Sequence, residues 1–325
     1  MLDNPASIGQ LERLVILRSF SGFAELPPAE MASMARHART RFFPRGTILQ
    51  REGERPRFVY FIADGAIRMR RHGHDFITMG PRDTAGGLSY LARDEDTPSL
   101  ECIEDTVALV LPTDDMEDLF EDNFTFLLLV MRSISRGIIE TRQVLGPTAG
   151  FEPSDPGEAP DAKRLDLVER IFFLRKTISF AQTRIEAIAH LARSAEEIRL
   201  PAGAPLWNEG DEPRQFLFPV SGVIRAHNEA GQEFTFGAGS AVGGLDWFAS
   251  QPRWFSAEVA HDLVAIEINA ESFIDLLEDS YELARDFLAV MAQGLTYMYE
   301  LAAGHSPGTS FHGDRPLNRI THDSR

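Results

Sequence analysis

The sequence contains one cysteine, Cys102. A lone thiol closes no intrachain disulfide, holds no iron–sulfur cluster and builds no cysteine-rich zinc site. Long hydrophobic runs are also missing. No apolar run exceeds the stretch from Phe126 to Met131, far short of the roughly 20 residues a membrane helix needs. The opening residues, MLDNPASIGQLERL, have neither the basic flank nor the apolar segment of a secretory signal. Basic charge is in deficit: 32 Lys and Arg face 49 Asp and Glu, for a net charge of −17. A field of that sign repels phosphate backbones. The basic cluster Arg68-Met69-Arg70-Arg71 is too short to reverse it. No nucleophile motif, Walker loop or dinucleotide fingerprint occurs. These absences predict a cytoplasmic protein that has no membrane span, is not an enzyme and does not use DNA as its main partner.

What is present is a normal globular composition. Hydrophobic residues make up 43% and charged residues 25% of the 325 residues, enough for a core of ordinary size. The length suits two domains, and the chain is in fact written twice. RGTILQREGERPRFVYFIADGAIR (Arg45 to Arg68) returns as AGAPLWNEGDEPRQFLFPVSGVIR (Ala202 to Arg225), an offset of 157 residues. Gly46 falls on Gly203, Glu52 on Glu209, Phe61 on Phe218 and Gly65 on Gly222. The same offset carries Gly86-Gly87-Leu88 onto Gly243-Gly244-Leu245, Asp105 onto Asp262 and Leu119 onto Leu276. One ungapped offset over this distance means duplication.

The repeats set the domain boundaries. Domain 1 is expected at 10–145 and domain 2 at 163–302. The Pro-, Gly- and acid-rich stretch 146–162 reads as a flexible linker, and 303–325 as a polar tail. Each copy opens with helical spacing: Met31, Met34 and Ala35 after Pro27-Pro28, and Ile185, Ile188 and Leu191. Short segments bounded by Gly and Pro follow: RFF, GTIL, RFVYFI, AIRMRR, DFITMG, SLECI and VALVL. Many short strands at close spacing predict a sandwich or barrel. Thr113 or Asp114 is expected to cap a helix over DDMEDLFED. A long helix ends each copy. Leu127, Met131, Ile134, Ile138, Thr141 and Leu145 step by four and three, and so do Ala284, Leu288, Met291, Leu295, Met298 and Ala302. That rhythm is a coiled-coil seam, although such faces also serve merely to cover a barrel.

The motifs GTILQREGE, VYFIADGAIR, GPRDTAGGLS and IEDTVALVL resemble the cyclic-nucleotide-binding domain of catabolite-activator-type regulators and protein kinase A regulatory subunits. The resemblance covers roughly 10–145 and 165–302. It implies a mainly β fold with flanking helices: two tandem jelly-roll (double-stranded β-helix) barrels, each followed by a long helix. It also implies a phosphate-binding cassette, in which Gly-Glu-Leu opens a short helix, the Glu holds the ribose, an Arg neutralises the phosphate and a small or hydroxyl residue follows.

Both copies depart from this pattern. Copy one has Gly86, Gly87 and Leu88, and copy two Gly243, Gly244 and Leu245, so Gly87 and Gly244 replace the sugar-binding Glu. The Arg position falls on Asp96 in copy one and on Arg253 in copy two; the hydroxyl position falls on Ser99 and Ser256. Like charges about 4 Å apart at an effective dielectric near 20 repel by roughly 4 kcal/mol, and an Arg attracts by a similar amount. Copy one is therefore a degenerate site. Copy two keeps Arg253 and Ser256 but adds Trp254 and Phe255, which either fill the pocket or stack on a base.

Two functional classes follow. One is a non-catalytic regulatory or scaffold protein acting through another protein. The other is a sensor binding a cyclic nucleotide or other anion through Gly243, Gly244, Leu245, Arg253, Trp254 and Ser256. No other cofactor is expected. A cupin-like metalloprotein is a third class, but His72-Gly73-His74 lacks the Glu a cupin motif needs, so no metal is expected there. Regulators of the family that bind DNA carry a helix-turn-helix domain after the long helix, and the stretch 303–325 does not resemble one. The two long helices are expected either to pair within the chain as a pseudo-dimer or to drive homo-oligomerisation.

Overall fold

The computed structural model describes residues 9–20, 23, 26–146, 164–180 and 183–303. The expected linker and tail lie almost wholly outside the described residues. Copy one runs α1 (Gln10–Arg18), α2 (Pro28–His37), β1 (Arg39–Phe43), β2 (Ile48–Gln50), β3 (Phe58–Asp64), β4 (Ile67–Arg71), β5 (His74–Met79), β6 (Thr84–Ala85), α3 (Gly87–Leu91), β7 (Ser99–Cys102), β8 (Thr106–Pro112), α4 (Thr113–Asp122) and α5 (Phe124–Leu145). Copy two runs α6 (Leu167–Lys176), α7 (Ile185–Ser194), β9 (Glu196–Leu200), β10 (Pro205–Trp207), β11 (Gln215–His227), β12 (Glu233–Phe236), α8 (Gly244–Ala249), β13 (Ser256–Asn269), α9 (Ala270–Asp279) and α10 (Tyr281–Ala302).

The sheets are antiparallel and form two jelly-roll domains. Copy one makes two sheets, ordered β1-β8-β3-β6 and β2-β7-β4-β5. In copy two, β11 covers the positions of β3 and β4, and β13 those of β7 and β8, so the strands run on through one sheet. The registers agree residue for residue. Phe61 pairs with Leu109 and Phe218 with Ile266. Ile67 pairs with Cys102 and Ile224 with Val259. Tyr60 pairs with Ala85, and Leu217 makes the matching bridge to Val242. Gly65 and Gly222 turn at positive φ directly against the carbonyls of Asp105 and Asp262. A side chain at either would collide with backbone.

The helical frame follows from local chemistry. Pro28 opens α2 with the φ that a first helical residue needs. Asn123 caps α5 by accepting from the Phe126 N–H at 2.9 Å, and Ser280, its equivalent, caps α10. The expected cap on α4 is not made. Thr113 lies inside the helix, Pro112 stands at the cap position, and the Thr113 hydroxyl donates to the Arg57 carbonyl at 3.2 Å. Burial under the preceding strands draws it away from the helix amides.

The two long helices pack on each other. They cross where Gly137 and Gly294, equivalent residues, meet Leu295 and Ile138, also equivalent. The seam residues Leu127, Met131, Ile134 and Ile138 and their partners Ala284, Leu288, Met291, Leu295 and Met298 are buried. Thr141 and Leu145 are half-buried and Ala302 is exposed, so the seam frays at its far end. One continuous apolar core joins the helices of both copies, and a smaller cluster fills each sheet interior.

Candidate functional site

In copy two the cassette is built between the end of the turn at Gly243 and the start of β13. Gly243 adopts φ +82 and α8 begins beside it. Arg253 reaches back into this turn and is only 2% exposed. Its Nη1 donates to the Gly243 carbonyl at 2.5 Å, and Nη2 to the Gln215 carbonyl at 2.8 Å. Nη1 also lies 3.3 Å from Oδ2 of Asp246, which is 1% exposed. The guanidinium carbon sits 4.1 Å from the centre of the Trp207 ring, a cation–π contact. Arg253 thus spends its charge on a carboxylate from its own cassette helix.

Burial pushes the Asp246 carboxyl up to about 7, against the opposing pull of Arg253 and of Arg142 on α5. Burial also lowers Arg253, opposed by Asp246. Arg142 is lowered to about 10, again by burial and against the field of Asp246. Arg253 Nε, Trp207 Nε1 and Asp246 Oδ1 are buried without a hydrogen-bond partner among the described residues.

The other residues expected at this site lie apart from that clamp or fill the interior. The Ser256 hydroxyl accepts the Glu209 N–H at 2.8 Å. Trp254 stacks on Phe234, centroids 5.3 Å apart and 11° from parallel. Phe255 is buried among Trp207, Phe234 and Phe236. Gly244 packs over Phe216, and Leu245 packs against the shared core.

Copy one has a different arrangement. Gly86 turns at φ +79, and α3 begins at Gly87, which is buried over Val59; Leu88 packs on the shared core. Asp96 faces outward, its carboxylate 3.2 Å from His72 Nε2. Ser99 Oγ donates to the Arg70 carbonyl at 3.3 Å. The buried cation here is Arg71. It pairs with Asp94 and, at 2.5 Å, with Glu300 at the end of α10. Burial pushes Asp94 up to about 6, with Arg71 opposing.

Each cassette helix is held by the other copy's long helix. Arg136 on α5 donates to the Ala249 carbonyl at 3.1 Å. Gln293 on α10, its equivalent, donates to the Ala92 carbonyl at 2.7 Å. Arg285 adds bonds to the Leu91 carbonyl at 3.1 Å and to Glu117 on α4 at 3.1 Å.

A cyclic nucleotide-binding domain model matches residues 40–123 and again residues 197–280, more than half of the chain. The chain belongs to the cyclic nucleotide-binding domain family. The two matches stand at the same spacing as the internal repeat. Among solved structures, the regulatory domain of Toxoplasma gondii PKA with cAMP is 16% identical, with 86% of this chain and 94% of that chain covered and a TM-score of 0.35. The regulatory subunit of a cAMP-independent protein kinase A from Trypanosoma brucei is 14% identical, covering 85% and 88%, with a TM-score of 0.34. The N-terminal domain of a transcriptional regulator from Streptomyces coelicolor A3(2) is 24% identical, covering 37% and 90%, with a TM-score of 0.35. No curated protein matches the chain. No helix among the described residues is long and apolar enough to cross a membrane.

Sequence reasoning missed the acid partners. Asp246 stands where copy one has Ser89, and Asp94 where copy two has Gln251. A repeat comparison aimed at gained carboxylates, rather than lost family residues, would have singled out both.

Proposed function

We propose that this cyclic-nucleotide-binding-domain protein is a non-catalytic regulatory or scaffold protein of the cytoplasm that acts through contacts with another protein. The observation carrying this reading is the Arg253 clamp. The one cassette arginine retained in the two copies is buried on Gly243, Gln215, Asp246 and Trp207, so an incoming cyclic phosphate would have to displace a built-in carboxylate. Copy one has Asp96 at the same position, and an acid there repels phosphate. The crossed long helices and the reciprocal Arg136 and Gln293 contacts support an intrachain pseudo-dimer, in which each copy's cassette bears on the other's long helix.

Titration calorimetry with cyclic AMP, cyclic GMP and cyclic dinucleotides is the test. The wild-type protein is expected to give no saturable heat with any of them. Saturable binding that disappears in Arg253→Ala, with circular dichroism unchanged, overturns the scaffold reading. It would establish the second one, a sensor in which ligand displaces Asp246. The unpartnered Arg253 Nε and Trp207 Nε1 favour that second reading, since they leave donors for a ligand to satisfy.

A further inference from the structure

We infer that Glu52, His72 and Asp96 form a binding site for a first-row divalent cation, with zinc the best fit, on the rim of the copy-one cassette. The three side chains come from separate parts of domain 1: the turn after β2, the β4–β5 hairpin and the loop after α3. One ligand atom from each lies within 4.8 Å of the others. Nε2 of His72 is 3.2 Å from Asp96 Oδ2 and 3.8 Å from Glu52 Oε1. A tetrahedral zinc ion with bonds of about 2.0–2.1 Å to nitrogen and oxygen has ligand–ligand edges of about 3.3 Å. The two measured edges bracket that value.

The chemistry of the set points the same way. Glu52 Oε1 also accepts the His72 backbone N–H at 2.7 Å, which holds this carboxylate beside the imidazole before any ion binds. A divalent cation at the shared point accepts a lone pair from each group. With a neutral imidazole and two ionised carboxylates, the bound site is electrically neutral. One nitrogen and two carboxylate oxygens favour zinc or a neighbouring transition ion over calcium, which prefers an all-oxygen shell of six to eight ligands. The side chains of His72, Glu52 and Asp96 are 48%, 35% and 43% exposed, leaving room for water to complete the coordination.

Copy two has no such set. The equivalent residues are Glu209, Glu229 and Arg253, and the arginine is turned inward. Both changes that create the set, His at 72 and Asp at 96, lie in the copy whose cassette lacks the family arginine. The motif His72-Gly73-His74 is not the origin of the site. His72 finds its partners across the fold, and the site lies on the surface rather than in a cupin-like interior.

Isothermal titration of the full chain with zinc chloride, after dialysis against a chelator, tests the inference. One equivalent of zinc is expected to bind. His72→Ala and Asp96→Asn are each expected to weaken it at least about tenfold, since losing even a supporting contact costs that much at metal sites. His37→Ala, at a second exposed histidine–carboxylate pair, is expected to leave it unchanged. Calcium is expected to bind at least about tenfold more weakly than zinc. No saturable zinc binding overturns the inference. So does zinc binding of equal affinity in His72→Ala, or loss of binding in His37→Ala with retention in His72→Ala. All the substituted side chains are at the surface, and circular dichroism verifies that each variant folds.

Discussion

At Asp246 two opposed electrostatic effects meet. Protonation loses the attraction of Arg253 and Arg142, but it also removes the cost of burying a charge. A pKa raised to about 7 means that the second effect is larger. In the unfolded chain the carboxyl titrates near its ordinary value of about 3.9. Between those two values the folded state holds more protons, so stability from this group is complete below about pH 4 and falls as pH rises to about 7. Asp94 acts in the same direction up to about pH 6. Urea denaturation across pH 4–8 is expected to show this decline, and Asp246→Asn is expected to flatten it. A slope unchanged in that variant would assign the pH dependence elsewhere. Asp246→Ala is a different test. It removes a hydrogen-bond acceptor from the buried Arg253 Nη1, which typically costs about 1–3 kcal/mol.

Among elements, the long helices show how a missing side chain sets a contact. At Gly137 an added Cβ would lie 3.2 Å from Leu295 Cδ2, whereas at Gly294 it would lie 3.9 Å from Ile138 Cδ1. The first is tight and the second is ordinary contact. Gly294→Ala is therefore expected to stabilise the protein by up to about 1 kcal/mol, from helix propensity alone. Gly137→Val adds bulk into the tight side and is expected to destabilise by about 1–3 kcal/mol. Thermal melts of the two variants should move in opposite directions. Movement of both downward by the same amount would mean that the crossing is packed symmetrically.

For the whole molecule, the two copies are joined as one mechanical unit. Glu300 at the end of α10 shares Arg71 with Asp94 in copy one, and Gln293 and Arg285 hold the end of α3. Substituting Glu300→Ala is expected to raise hydrogen exchange in residues 86–98 of copy one, far away in sequence. Increased exchange confined to the end of α10 would show instead that the copies are energetically independent. The shared apolar core predicts a single cooperative unfolding transition for the described domains.

Most of the fold was legible beforehand because duplication amplifies the signal. Seven strand segments of copy one appear where bounding Gly and Pro placed them; β6, two residues long, is too short to stand out between such boundaries. The opening helices α1 and α6 were not anticipated, although Asp166 and Glu169 form a capping box that marks the start of α6. At the site, residue types alone gave the departures from the family pattern: Gly87 and Gly244, and Asp96 in the first copy.

The sequence by itself determined the repeat, the family and most of the strand segments, because glycine spacing and apolar periodicity are local and were written twice. Only the tertiary structure decided which charges face each other. Asp246, Arg142, Glu300 and Asp94 meet their partners across turns, sheets and copies, and His72 meets Glu52 and Asp96 in the same way. The Glu300–Arg71 and Arg142–Asp246 meetings depend on how the two domains cross at Gly137 and Gly294, and the others on turns folded within one copy. No local pattern along the chain encodes that.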